Sequence, residues 1–393
     1  MILSSFIRTI LMVPVFLSLL GSNAFAEPVF IPDQLKSSSV APEPNGESWV
    51  LMEANTGWLL SAQDPEKQVE PASLTKLMTA YIVFELLDKG QYSANDLATI
   101  STKAWKAPGS RMFAQVDTAV PLGELLKGLI IQSGNDAAVA LAEHIGGTED
   151  GFAIMMNQKA ADLGLHSTHY VNASGLPAPG HLTTALDTAL LSRAIIRDYP
   201  GFYHMFSIKR HTYNDIEQPN RNNLLWRHDS YDGLKTGYTK AAGYCLAGSA
   251  KRDNTRFIAV VMGSESKKTR VQAVQSLIEF GFAKYESAVV FSAIESVHTL
   301  PLYKSEQQSA NVGVNQTVSV LLPRGRRSEL QIEYALPAKL LAPLSTRSEV
   351  GKAKLSFNGL PLGTVKLYPT QNYPAGSLWS QLLGTIRYRV DWL

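Results

Sequence analysis

Apolar positions change their period several times along the chain, and each change marks an element. Between Ser48 and Leu60 the pattern reads strand, turn, strand: Trp49-Val50-Leu51-Met52, then Asn55-Thr56-Gly57, then Trp58-Leu59-Leu60. After Pro71 the spacing predicts a helix from Ala72 to about Lys89, with Gly90 as its stop. Its middle, Leu77 to Leu87, is apolar on nearly every side, which places it inside a domain instead of on a surface. Leu122 to about Ile145, Asp150 to Leu163 and Thr184 to Arg197 also carry helical patterning. From Gly233 to Gly263 the period shortens. Tyr244 to Ala250 and Phe257 to Met262 flank Lys251-Arg252-Asp253-Asn254, the mark of a hairpin in an antiparallel sheet, and Val271 to Phe282 reads as a closing helix. Strands at both ends with helices between predict one α/β (α+β) domain.

From about Ser287 the runs become short and β-rich: Thr317 to Leu322, Glu329 to Tyr334 and Ala353 to Phe357, followed by the tight-turn pair Asn358-Gly359. This predicts a small all-β second domain without a cluster of acids, histidines or cysteines. The tail from Ser377 to Leu393 is amphipathic on a helix. Leu378, Trp379, Leu382, Leu383, Ile386 and Val390 share one face, and Ser380, Gly384, Arg387 and Asp391 lie opposite. Arg389 falls on the apolar side, where its long stem can snorkel outward. Such a helix either lies in a membrane interface or docks on protein.

At the other end, Arg8, an apolar run from Thr9 to Leu20 and the small-residue pattern Ala24-Phe25-Ala26 read as a secretory signal, with the mature chain beginning at Glu27. The run is shorter than the roughly 20 apolar residues that cross a bilayer as a helix. The organisation expected is therefore signal 1–26, first domain 27–287, β-rich domain 288–370 and amphipathic membrane-anchor helix 371–393.

Composition narrows the function classes. With 45% hydrophobic and 18% charged residues among 393, the chain is globular, and disordered, collagen-like and coiled-coil classes are excluded. A net charge of +2 lacks the electrostatic footprint of a nucleic-acid binder. Cys245 is the only cysteine, so no intramolecular disulfide forms, and its strand-like setting marks it as a small buried hydrophobe.

Three polar motifs stand in apolar settings. Ser73-Leu74-Thr75-Lys76 opens the buried helix, where residues three apart share a face and the hydroxyl meets the amine. Serine attacks only when a base takes its proton, and lysine is a base only when burial, a nearby cation or a helix N-terminus lowers its pKa. A structural alternative needs a carboxylate partner for Lys76, and Glu70 is the nearest in sequence. The same spacing at Ser264 and Lys267 lies in a polar stretch and reads as chance. Ser133-Gly134-Asn135 interrupts the apolar stretch Leu125 to Leu141, either as a helix cap or as a proton relay at Ser133 with a substrate-amide ligand at Asn135. Lys235-Thr236-Gly237 begins the strand-rich region. A strand edge there binds an extended peptide, the lysine attracts its carboxylate, and the glycine permits close approach.

In that order the three motifs resemble those of the penicillin-recognising serine enzymes. Their surroundings, Pro71 to Thr79, Gln132 to Ala137 and Asp232 to Thr239, are similar to low-molecular-mass penicillin-binding proteins that are D-alanyl-D-alanine carboxypeptidases. The resemblance implies a penicillin-binding/β-lactamase-like catalytic domain, with helices on both faces of an antiparallel sheet. It implies a periplasmic enzyme on the outer face of the inner membrane that trims the terminal D-alanine from peptidoglycan stem pentapeptides and is acylated by β-lactams. By motif, Ser73 is the nucleophile, Lys76 its base and Ser133 the relay. Asn135, Lys235, Thr236, Gly237 and Tyr238 bind substrate, and the backbone amides of Ser73 and Tyr238 form the oxyanion hole. Arg221, in Pro219 to Trp226, matches a segment that helps hold the terminal carboxylate, with an ordinary surface arginine as the alternative. No metal or cofactor is implied. The chain departs from many relatives at Gly175-Leu176-Pro177 and Gly180-His181, where they carry Gly-Leu-Asp and Gly-Gln.

A class A β-lactamase places a deacylating glutamate after the second motif, and no glutamate occurs between Glu149 and Glu217. A D,D-endopeptidase acting on cross-links performs the same chemistry; many carry a large insertion between motifs one and two, and Ser73 and Ser133 are only 133 − 73 = 60 positions apart. A non-catalytic envelope scaffold is argued against by the intact nucleophile and base. His166 and His169 have ligand-like spacing but no third ligand nearby, and read as surface loop residues.

Overall fold

The computed structural model describes residues 30–37 and 39–390; the signal read over 1–26 and the tail residue Asp391 lie outside the described residues. Two compact units emerge among the described residues, one running up to 288 with 319–327 and one built on 289–318 and 328–390.

In the first unit the two terminal hairpins meet in one sheet. Its strands are β1 (Ser48–Glu53), β2 (Leu59–Gln63), β3 (Tyr231–Thr239), β4 (Gly243–Arg252) and β5 (Thr255–Ser264), in the spatial order β2-β1-β5-β4-β3, all antiparallel. β1 pairs with β5, Trp49 opposite Val261, so everything between β2 and β3 is an excursion from one sheet. That excursion carries α1 (Lys76–Asp88), α2 (Asn135–Gly146), α3 (Glu149–Asp162) and α4 (Ala185–Asp198). Strand alternation sends Val50, Met52, Cys245, Ala247, Ile258, Val260 and Met262 into the core these helices share. On the opposite face lies α5 (Lys267–Lys284), where Phe282 meets Phe257 edge-on at 5.0 Å. A Cβ at Gly248 would fall 2.5 Å from Val274, so glycine is what lets β4 and α5 close. β3 is left as an edge strand.

Three expectations are corrected. The helix predicted from Ala72 starts as a 3-10 turn, Ala72–Thr75, before α1 begins at Lys76. The stretch Leu122 to Ile145 is not one helix: a helix over Leu122–Lys127 widens into a π turn over Gly128–Gln132 and breaks at Ser133, whose φ is +62°. Tertiary bonds drive the break. The Asn135 N–H donates to the Ser110 carbonyl at 2.7 Å, and the Asp136 carboxylate accepts from the N–H groups of Met112, Phe113 and Ala114, so α2 must start afresh there. α5 begins a turn before the expected Val271, because Ser266 and Thr269 form a capping box ahead of the apolar positions.

The second unit is a six-stranded sheet. Its spatial order is Leu330–Ala335, Gly351–Phe357, Leu360–Pro369, Ser309–Gly313, Ser296–Tyr303 and Leu340–Leu341, antiparallel except for the last pair. Asn358 and Gly359 both have positive φ, +49° and +78°, as a two-residue hairpin turn requires. A last helix, α6 (Leu378–Val390), docks on this sheet by its polar side. Gly384 lies against the Lys304 backbone, Tyr303 and Tyr388 meet at 5.6 Å, and Lys339 donates to the Tyr388 carbonyl. Its apolar face stays open, with Leu378 85% and Trp379 74% exposed. Among the described residues no helix is long and apolar enough to cross a membrane.

Candidate active site

Ser73 lies in the 3-10 turn that feeds α1, and the first residue of α1 is Lys76. The Lys76 ammonium donates to Ser73 Oγ at 3.1 Å, to Asn135 Oδ1 at 2.7 Å and to the Ser174 carbonyl at 2.5 Å. Among the described residues no carboxylate forms an ion pair with it, and Glu70 accepts from Thr239 Oγ1 instead, so the structural alternative for this lysine fails. With the side chain 1% exposed, burial lowers its pKa to about 7, Asp136 opposing the effect and Arg221 adding to it. A buried lysine with a lowered pKa beside a serine hydroxyl is suited to act as its base.

The second motif sits on the broken helix. Ser133 is 2% exposed, and its Oγ has no hydrogen-bond partner among the described residues. A buried hydroxyl without a partner in a left-handed backbone is unusual enough to mark a working group. Asn135 is bonded at both ends, its oxygen to Lys76 and its amide nitrogen to the Pro108 carbonyl at 2.5 Å. In this structure it therefore holds Lys76.

The third motif occupies the edge strand β3. Lys235 is 2% exposed and donates to the Thr236 carbonyl; burial, followed by Lys76, Arg221 and Arg270, holds its pKa well below the usual lysine value. A Cβ on Gly237 would lie 3.2 Å from the Ala72 Cβ, so glycine is what brings β3 against the Ser73 turn. Tyr238 is 54% exposed, and its ring meets that of Tyr244 at a tilt, with centroids 4.3 Å apart.

Ser73 stands between two lobes of one cleft. The smaller, about 350 Å³, is walled by Ser110, Asn135, Ser174, Leu176 and Thr239 among others. The larger, about 600 Å³, is walled by Ser133, Thr236, Gly237, Lys267 and Arg270 among others. Arg221 and Tyr238 line both. Arg221 is anchored, its Nε donating to the Gln132 carbonyl at 2.7 Å, while burial lowers its pKa. The larger lobe thus carries guanidinium groups suited to a carboxylate.

Several site residues escaped the sequence reading. Ser174 offers only a backbone carbonyl, which has no signature. Ser110 is delivered by the loop pinned on Asp136. Arg270 arrives from α5, its Nη1 donating to the Gly237 carbonyl at 2.9 Å. Lys267, dismissed as half of a chance motif, lines the larger lobe, while Ser264 bonds to the Asn45 carbonyl. Cys245 is buried, with its thiol pushed up to about 11 by burial. His166 and His169 are exposed, and the described residues hold no cluster of three or more potential metal ligands.

Residues 35–266 match the family described as D-alanyl-D-alanine carboxypeptidase. The chain belongs to that family. Residues 285–375 match the family described as penicillin-binding protein 5, C-terminal domain. The D-alanyl-D-alanine carboxypeptidase DacD of Escherichia coli (strain K12) is 37% identical over 361 residues, 90% of this chain and 93% of that protein. The solved penicillin binding protein 5 from Haemophilus influenzae superposes with a TM-score of 0.75 at 36% identity, over 86% of this chain and all of that one. Penicillin-binding protein D2 from Listeria monocytogenes, solved in an ampicillin-bound form, gives 0.54 at 29% identity, over 61% of this chain and 98% of that one. This carboxypeptidase is a serine-type enzyme, with an antiparallel-sheet catalytic fold and an all-β C-terminal domain.

Proposed function

We propose that the chain removes the terminal D-alanine from peptidoglycan stem pentapeptides by way of an acyl-enzyme on Ser73. The observation that carries this reading is the 3.1 Å contact between Ser73 Oγ and a Lys76 ammonium whose pKa is lowered to about 7. Neutral Lys76 accepts the Ser73 proton as Oγ attacks the carbonyl between the two D-alanines. The backbone amides of Ser73 and Tyr238 receive the oxyanion. Ser133 passes a proton to the leaving amine, the peptide bond breaks and free D-alanine departs. Water then attacks the ester and regenerates Ser73. Arg221 and Lys235, with Thr236, hold the substrate carboxylate in the larger lobe, and the backbone of β3 takes the peptide as an added strand.

A β-lactam amide presents the same carbonyl to the same serine. Intact-mass and peptide mapping after incubation with penicillin test this: one adduct on Ser73 supports the reading, and an adduct elsewhere or none overturns it. The open apolar face of α6 supports attachment to the outer face of the inner membrane, with the enzyme in the periplasm once the 1–26 signal is removed.

A further inference from the structure

His181 is 2% exposed, lies behind the cleft and has no part in the steps above. Its ring joins two segments. Nδ1 accepts from the Val171 N–H at 2.9 Å, which leaves the ring proton on Nε2, facing Thr75 Oγ1 at 2.8 Å. The single Thr75 hydroxyl hydrogen goes to the Ala72 carbonyl, also at 2.8 Å. The bonds therefore run in one direction, from Val171 through His181 and Thr75 to Ala72.

The end of that chain matters. The Ala72 carbonyl and the Ser73 N–H belong to one planar peptide unit and point opposite ways, so fixing the carbonyl fixes the N–H. Ala72 has a φ of +47°, a left-handed conformation that is strained for a residue with a side chain and persists only where its surroundings enforce it. The enforcement is visible. A Cβ on Gly175 would fall 1.8 Å from the Ala72 oxygen, so the loop 171–181 closes directly on this carbonyl.

We propose that His181 is a positioning residue which, through Thr75, locks the Ala72–Ser73 peptide plane so that the Ser73 N–H faces the oxyanion. Only the ring protonated on Nε2 alone serves, because a second proton on Nδ1 would face the Val171 N–H. Burial, with His169 and Lys76 nearby, keeps that proton off by lowering the pKa to about 4. The proposal rests on the carboxypeptidase reading and adds a residue to it.

Two half-replacements test it in the full chain. In His181→Asn the Oδ1 stands where Nδ1 was, so the Val171 bond is kept and the Thr75 bond lost. In His181→Gln the Nε2 reaches Thr75 and the Val171 bond is lost. The expected result is a drop of about tenfold in kcat for D-alanine release in the Asn variant, with KM unchanged, and near wild-type kcat in the Gln variant. Thr75→Val should match His181→Asn, and the double variant should lose no more than either alone. Equal kcat values for the Asn and Gln variants, or an effect on KM alone, overturn the proposal. Should the Asn variant fail to fold, Thr75→Val decides: an unchanged kcat overturns it. Failure of the wild type to release D-alanine is a separate result, and overturns the carboxypeptidase reading itself.

Discussion

Lys76 holds its ammonium 2.7 Å from the Asn135 amide oxygen, so the first and second motifs are joined by a neutral acceptor where an ion pair is normally found. A carboxylate in that position would raise the lysine pKa and remove the base. An amide orients the lysine without charging it, and burial then sets the value near neutrality.

This gives a pH prediction. Acylation by penicillin should rise with pH through about 7 as Lys76 loses its proton. Stability follows the same group. The folded pKa lies below the unfolded value of about 10.4, so the lysine penalty is absent above pH 10 and complete below about 7. Lys76→Met should be inactive, and its Tm relative to wild type should improve as pH falls from 10 to 7. A Tm difference independent of pH contradicts the buried, neutral lysine.

Ser133 separates catalysis from folding. Ser133→Gly accepts the +62° φ without strain, so Tm should hold or rise by the equivalent of about 1 kcal/mol, while turnover falls by about 100-fold or more with the relay gone. Ser133→Ala keeps the strain and loses the same activity. Retained turnover in either variant removes Ser133 from the mechanism.

Under the proposed function, Arg221 holds the substrate carboxylate. Arg221→Ala should lower kcat/KM for a peptide ending in free D-alanine by about 10- to 100-fold, and should leave an amide-capped peptide nearly unaffected. Equal losses on both substrates point to a structural role through its Gln132 bond.

How much of this was legible depends on where each signal lies. Ser73 with Lys76, and Ser133 with Asn135, are local spacings on or beside a helix, and β3 announced itself by Lys235-Thr236-Gly237 in an apolar run. The helical patterning of Leu122 to Ile145 does not fix where the helix breaks, because periodicity cannot register bonds from the distant 110–114 loop. Ser174, Arg270 and His181 reach the Ser73 turn from separate segments, and only the fold places them there. The face of α6 was read from its period alone, and the structure shows which side docks.

That face carries a further prediction. Full-length protein should sediment with anionic phospholipid vesicles, and a chain ending at Pro374 should remain in the supernatant. Cosedimentation of the shortened chain assigns attachment elsewhere.

The central claim is tested most directly by free D-alanine released from a stem pentapeptide ending in D-alanyl-D-alanine, using residues 27–374 with Ser73→Ala as control. Release by the wild-type sequence and none by Ser73→Ala is the predicted result. No release from wild type, or equal release from both, contradicts it.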